Sequence, residues 1–305
     1  MTKLLLSRLV YGAIVVWAVA TITFFLMHTV PGGPFDQEKK FPPEILKNIQ
    51  AKYHLDKPIW KQYLYYMRDL AHLRFGPSFK YRNRQVEEIL AQTFPISMAL
   101  GLIALFISIG VGIGAGIISA LGQNKSFDRI SMFLATLGIS LPSFVLAVLL
   151  IYVFAHRLKL LPPALLEDWR HYLLPSLSLA SAPTAYLARL ARSSLLDTIN
   201  KPFIRSARAR GIEGARLVFK HILKNSLSPV VTVLGPLVAM LITGSFVIEK
   251  IFSVPGMGRY FITAVTNRDY PLIMAVTIVY AVLIVVMNFL VDITYAILDP
   301  RVRLK

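Results

Sequence analysis

The side chains of this chain that could do chemistry are few, and most stand where an apolar helix would have to carry them. Asp292 follows Asn288 by one helical turn, inside a run that is otherwise apolar from Leu272 to Leu298. An ionisable group at membrane depth is costly enough to mark a function, so the two side chains could form a proton or ion relay. The competing reading is a hydrogen bond between helices near the end of the span, which the proximity of Asp299-Pro300-Arg301 favours. His28, His156 and His171 stand at or beyond the ends of apolar runs, and no pair of them has the spacing of a metal site. The chain has no cysteine, which excludes a disulfide framework, a thiolate metal site and a cysteine nucleophile. Paired catalytic aspartates, a Gly-x-Ser-x-Gly elbow and a His-Glu-x-x-His helix are also missing.

Glycine-rich stretches invite a nucleotide reading that their context removes. A phosphate-binding loop needs a turn ending in Gly-Lys-Ser/Thr after a strand. Gly122-Gln123-Asn124-Lys125-Ser126 has the wrong spacing and follows an apolar helix. Gly110, Gly112, Gly114 and Gly116 lie within such a helix and read as a close-packing face. No cofactor is expected on this chain, and any ATP would be hydrolysed by a partner.

The elements that must position these groups are membrane helices. Mean hydropathy is +0.60, and apolar runs recur over all 305 residues. A spanning helix needs about 20 apolar residues to cross about 30 Å of hydrocarbon. Six segments are expected to span: 9–30, 96–121, 130–155, 172–191, 228–248 and 272–298. The fourth is diluted by Pro175, Pro183, Ser176, Ser178 and Ser181. Such a helix is tolerable where neighbours or a wet cavity satisfy its freed backbone groups. Ser178 and Ser181 are therefore candidates for the lining of a translocation path, with plain helix packing as the alternative. Lys3 and Arg8 ahead of the first run resemble the start of a secretory signal, but the small-x-small site Ala18-Val19-Ala20 lies inside the run, so an uncleaved first span is expected.

The net charge of +17, from 33 Lys and Arg against 16 acids, has a topological explanation. Cytoplasmic loops collect Lys and Arg, so no nucleic-acid partner is expected. With both termini inside, the inner segments hold 15 basic residues against six in the two short outer loops. The loop 31–95 holds eleven more, but it is long enough to translocate regardless of charge. Within it, Pro43 and Glu44 open one helical pattern through Ile45, Ile49 and Tyr53, and Asp56 can cap a second that aligns Ile59, Tyr63, Met67 and Leu70. A small external helical cap is expected there.

The inner loop 193–227 is too long for a connector. It holds two helix-compatible pieces broken at Gly211, and in the second Ile212, Ala215, Phe219 and Ile222 fall near one face while Arg216, Lys220 and Lys224 form a basic stripe. A basic amphipathic helix of this kind either lies on anionic lipid or docks into a cytoplasmic partner.

At this loop the chain resembles a known family. Ser206-Ala207, Gly211 and His221-Ile222-Leu223 resemble the EAA loop of ABC importer permeases, with Arg205 where the general pattern has glutamate and Lys224 where it has proline. Arg-Ser-Ala-Arg-Ala-Arg-Gly is similar to the peptide-transporter branch, and the likeness covers nearly the whole chain. Ala51 to Ile59 with Gln62-Tyr63, and Phe75-Gly76-Pro77-Ser78, resemble the external loop of the first permease subunit of oligopeptide and dipeptide importers. So do Gly244 to Glu249, Val254-Pro255-Gly256-Met257-Gly258, Asn267-Arg268-Asp269-Tyr270 and Asp299 to Arg303. Leu73-Arg74 stands where relatives have Gly-Asp, and the short Leu161-Pro162-Pro163 loop lacks their glycine-rich continuation, which bears on substrate range.

The resemblance implies an all-α polytopic protein of the type I ABC importer permease fold in a bacterial cytoplasmic membrane. It would comprise a first helix with external loop over 1–95 and a five-helix core over 96–305. It implies ATPase coupling through Arg205, Ser206, Ala207, Gly211, Arg216, Phe219 and His221, on a coupling helix between the fourth and fifth spans. Pro255, Gly256, Gly258, Arg268 and Asp269 belong to external motifs without an assigned role. The implied partners are a homologous second permease, two ABC ATPases that hold ATP and Mg, an extracytoplasmic peptide-binding protein and the peptide itself. An ion-coupled secondary transporter working alone through Asp292 is the rival expectation.

Overall fold

A computed structural model describes residues 2–30, 51, 53–81 and 83–298. The pattern expected over Pro43 to Ile49, the terminal Asp299 to Arg303 motif and the side chain of Asp292 lie outside the described residues. Among the described residues the secondary structure is helical apart from one isolated antiparallel bridge between Pro77 and Gln85. The chain divides into two compact units, one of residues 1–96 and 256–285, the other of 97–255 and 286–305.

In the first unit, α1 (Thr2–Thr29) and α2 (Ile59–Ala71) are joined to the start of α3 (Val86–Leu121), to α11 (Met257–Asn267) and to the first half of α12 (Tyr270–Leu298). Its core is Val86, Ile89, Leu90, Met257, Ala264, Leu272, Ile273 and Val276. Asp56 does not cap α2. The N-cap position belongs to Pro58, whose ring fixes φ near the helical value, and the Asp56 carboxylate turns instead to Lys57 at 2.9 Å. On α2 the inward face holds Tyr63, Met67 and Leu70, as expected, and also Tyr66, but Ile59 is exposed.

In the second unit, α6 (Leu173–Ile199) is the central helix. Around it pack the remainder of α3, α4 (Ser126–Ser140), α5 (Ser143–Arg157), α9 (Ser228–Ile242) and α10 (Phe246–Ile251). Gly112 and Gly116 of α3 let the two backbones meet: a Cβ at Gly112 would stand 2.7 Å from the Thr184 carbonyl, and one at Gly116 2.5 Å from that of Ala188. Gly110 and Gly114 face open space. The packing face is thus one small-x-x-x-small pair and not the full four-glycine run.

Among the described residues four helices are long and apolar enough to cross a membrane: Leu6–Thr29, Val86–Leu121, Ser228–Ile251 and Tyr270–Leu290. A fifth is obtained if α4 and α5, bent by 109° at Leu141 and Pro142, make one broken span. The remaining expected segment, the fourth, is a helix, α6, but it is less apolar than these. Ser176, Ser178 and most of its alanines are instead buried in the second unit: Ser176 donates toward the Leu100 carbonyl, and Leu187, Ala191 and Leu195 are fully enclosed.

Candidate functional site

The C-terminal end of α6 leads into the most basic stretch of the chain. Lys201 is extended and Pro202 opens α7 (Pro202–Ala209), a position where the missing N–H costs nothing. The helix stops at Gly211, whose φ of +77 is the left-handed turn that glycine accepts most readily. Around it the Ile212 N–H donates to the Ala207 carbonyl at 3.2 Å and the Gly211 N–H to Arg208 at 2.8 Å, the paired bonds of a Schellman stop. Then α8, residues 214–226, runs as an α-turn, a π-turn over Val218–Leu223 and a last α-turn.

The buried face of this hairpin is Ile204 and Ala207 from α7 with Leu217 and Ile222 from α8, packed on Ala120 and Leu195. This corrects the periodic expectation. Ala215 is exposed and Phe219 is 71% exposed, while Leu217 takes the inward position. The π-turn is the reason, since it closes i to i+5 and so sets Leu217 and Ile222, five apart, on one side. Arg205, Ser206, Arg208, Arg210, Arg216, Lys220 and Lys224 are exposed, His221 is half-buried, and Glu213 is the single acid between Asn200 and Leu227. The result is a cationic surface with one outward aromatic ring, whose apolar underside is fixed to the end of α6.

A buried ion pair lies one helical segment further in. Asp128, 3% exposed in the first turn of α4, accepts from Arg192 Nε at 2.6 Å and Nη2 at 2.8 Å. It also accepts from Ser119 Oγ of α3 and from the Asn124 N–H at 2.8 Å. All its bonding capacity is used, which is what makes a charge tolerable there. Sequence reasoning missed this centre because the partners are 64 positions apart. The available signal was an acid in the first turn of an otherwise apolar helix.

The other expected residues divide. Ser178 is fully buried with its hydroxyl donating to the Leu174 carbonyl at 2.8 Å, and Ser181, half-buried, donates to that of Ser178 at 2.9 Å. Both satisfy the backbone of their own helix. Gly256 is the N-cap of α11, with Pro255 before it and Gly258 buried in its first turn. Arg268 closes α11 in the left-handed region at φ 56. Asp269 is fully buried and accepts from Ser78 Oγ and from the Phe79 N–H at 3.1 Å. Within the first unit it ties two motifs that the sequence shows as separate, Phe75 to Ser78 and Asn267 to Tyr270. Loss of hydration pushes its pKa up, opposed by those hydrogen bonds. Among the described residues no cluster of His, Asp or Glu could hold a metal ion.

Comparison with known families decides the class. Residues 112–304 match the family described as binding-protein-dependent transport system inner membrane component, and residues 1–101 match the N-terminal family of the same systems. The chain belongs to this permease family. A dipeptide transport system permease protein, DppB, of Bacillus subtilis is 44% identical over 100% of this chain and 99% of its own length. The oligopeptide transport system permease protein OppB of Escherichia coli is 41% identical over 99% of this chain and 100% of its own length. Among solved structures, an inward-facing MetNI methionine ABC transporter chain aligns with a TM-score of 0.55 at 16% identity, covering 70% of this chain and 97% of its own. An amino acid ABC transporter chain gives 0.53 at 17% identity, covering 68% and 93%. The permease fold is thus the ABC importer type. In the permease, the α7–α8 hairpin and the Asp128–Arg192 pair fall inside the main family match, and α1 and α2 inside the N-terminal one.

Proposed function

We propose that this permease is the non-catalytic membrane subunit of an ATP-driven importer that moves peptides across a bacterial cytoplasmic membrane, both termini facing the cytoplasm. The observation that carries the reading is the α7–α8 hairpin. It presents six exposed cations and the outward Phe219, while Ile204, Ala207, Leu217 and Ile222 hold it to the end of α6. A surface built in this way receives a partner's motion and passes it to a span without an intervening flexible link. ATP and Mg reside on two cytoplasmic ATPase subunits, a homologous second permease completes the path, and an external binding protein delivers the peptide. Arg205, Ser206, Arg216, Phe219 and His221 meet the ATPase, Ala207 and Gly211 shape the hairpin, and Ser178 and Ser181 belong to the helix beside the path. Closure of the ATPases pulls the hairpin and rocks the permease pair between outward-open and inward-open forms.

The test is purification in mild detergent, identification of the subunits that accompany the chain, and peptide-stimulated ATPase activity of the complex. Gly211→Pro and Arg216→Glu are expected to abolish peptide uptake while membrane insertion stays intact. Uptake unchanged by both, in an otherwise normal complex, would overturn the coupling role.

A further inference from the structure

The face of α2 that turns away from its own unit carries large apolar side chains beside its charges. Trp60 is 59% and Leu64 56% exposed, one helical turn apart, and Ile59 lies beside them. Leaving such side chains in water forgoes about 1.5–3 kcal/mol each. The depth at which α2 sits says what covers them.

Two spans of the same unit set that depth. Ahead of α12 the polar stretch Asn267-Arg268-Asp269 ends directly before Tyr270, and an apolar run long enough to cross one hydrocarbon thickness follows it. Tyr270 therefore marks a boundary. The His28 ring of α1 is 5.7 Å from that of Tyr270, at the same level. Thr21 comes seven residues earlier on α1, about 10 Å deeper. Yet the hydroxyl of Tyr63 on α2 is 2.8 Å from Thr21 Oγ1. Tyr63 and Tyr66 also pack on Phe24 and Met274, both inside apolar windows. A helix with its side chains is about 10–12 Å across, so the axis of α2 lies within about 5 Å of the hydrocarbon boundary.

We propose that α2 is an interfacial helix whose outer face is covered by phospholipid of the leaflet where α1 ends, with Trp60 and Leu64 in the acyl region. Lys61 and Arg68, both exposed, reach from the same helix toward headgroup phosphates. Lys61 also stands over the Trp60 ring at 5.3 Å, which pairs a cation with an aromatic as interfacial helices do. The 13-residue helix is then part of the membrane footprint of the permease and not a cap standing in water. This inference is independent of the importer reading and holds for either orientation of the chain.

Because the chain has no cysteine, Leu64→Cys and Trp60→Cys each place one thiol of this subunit on the outer face. A nitroxide is attached in the assembled complex in liposomes, and the signal of the unsubstituted complex is subtracted. Collision rates with oxygen, which partitions into lipid, and with a water-soluble nickel chelate are then compared. Oxygen collisions should exceed nickel collisions several-fold at both sites, as at the reference Ile22→Cys on the exposed side of α1. Nickel collisions dominating at position 64 would show a water-exposed face, and exclusion of both reagents would show a protein cover; either overturns the proposal.

Discussion

At the scale of single residues, the permease spends its few buried charges on cross-links. Asp128 joins α3, the turn at Asn124, α4 and α6 through four hydrogen bonds. Asp128→Asn removes the counter-charge of the partly exposed Arg192 guanidinium and mismatches the buried bonds around position 128, a loss of about 1–3 kcal/mol. A marked fall in the unfolding temperature of the purified complex is expected, with part of it regained when Arg192→Met accompanies Asp128→Leu. An unchanged unfolding temperature in Asp128→Asn would refute the cross-link. Asp269 makes a pH-dependent contribution. Burial raises its folded pKa above the unfolded value, so its stabilising contribution is present below the ordinary carboxylate value of about 3.9 and is lost as pH rises through the folded pKa. The unfolding temperature of the complex should therefore lose a component as the pH rises above about 4 that Asp269→Asn lacks. Superimposable pH profiles of the two proteins would contradict this.

At the scale of elements, helix contacts here are set by which small residues face which backbone. A leucine at Gly116 would drive α3 from α6, because its Cβ alone would meet the Ala188 carbonyl and the Ala191 methyl, while Gly114 has nothing within 4 Å. Overpacking of this kind costs about 1–3 kcal/mol or more. Gly116→Leu is expected to lower the yield of monodisperse permease and its unfolding temperature, and Gly114→Leu to leave both near the wild-type values. Equal behaviour of the two variants would refute the assignment of the contact face. Sequence periodicity identified the glycine run and the inner loop but could not choose their faces. Regular spacing assumes 3.6 residues per turn, whereas π-turns occur over Ser108–Ile113 and Val218–Leu223. Each changes the register between the residues on its two sides, which is why Leu217, and neither Ala215 nor Phe219, shares the buried side with Ile222.

At the scale of the whole molecule, α6 is a helix that composition alone would not send into a bilayer. Its 27 residues are about 40 Å long, more than one hydrocarbon thickness, and Ser176, Ser178 and Thr198 are buried among its neighbours. Fused alone between two reporter domains, residues 173–199 should fail to insert where residues 6–29 insert. In the full chain, cysteines placed near Tyr172 and Asn200 should react from opposite sides of the membrane. Efficient insertion of the isolated α6 would refute this dependence on its partners.

The apolar runs, the charge asymmetry of the loops and the break at Gly211 were legible in the sequence, because hydropathy, loop charge and a left-handed backbone are local properties. The same holds for the family, since the EAA-type loop and the external motifs are contiguous strings. Tertiary structure alone decided that Asp128 pairs with Arg192, that Asp269 ties the Phe75 to Ser78 motif to its own, and that Phe219 points outward. These depend on distances between residues 64 and 191 positions apart and on a one-residue shift in helical winding. Neither leaves a periodic trace in the chain.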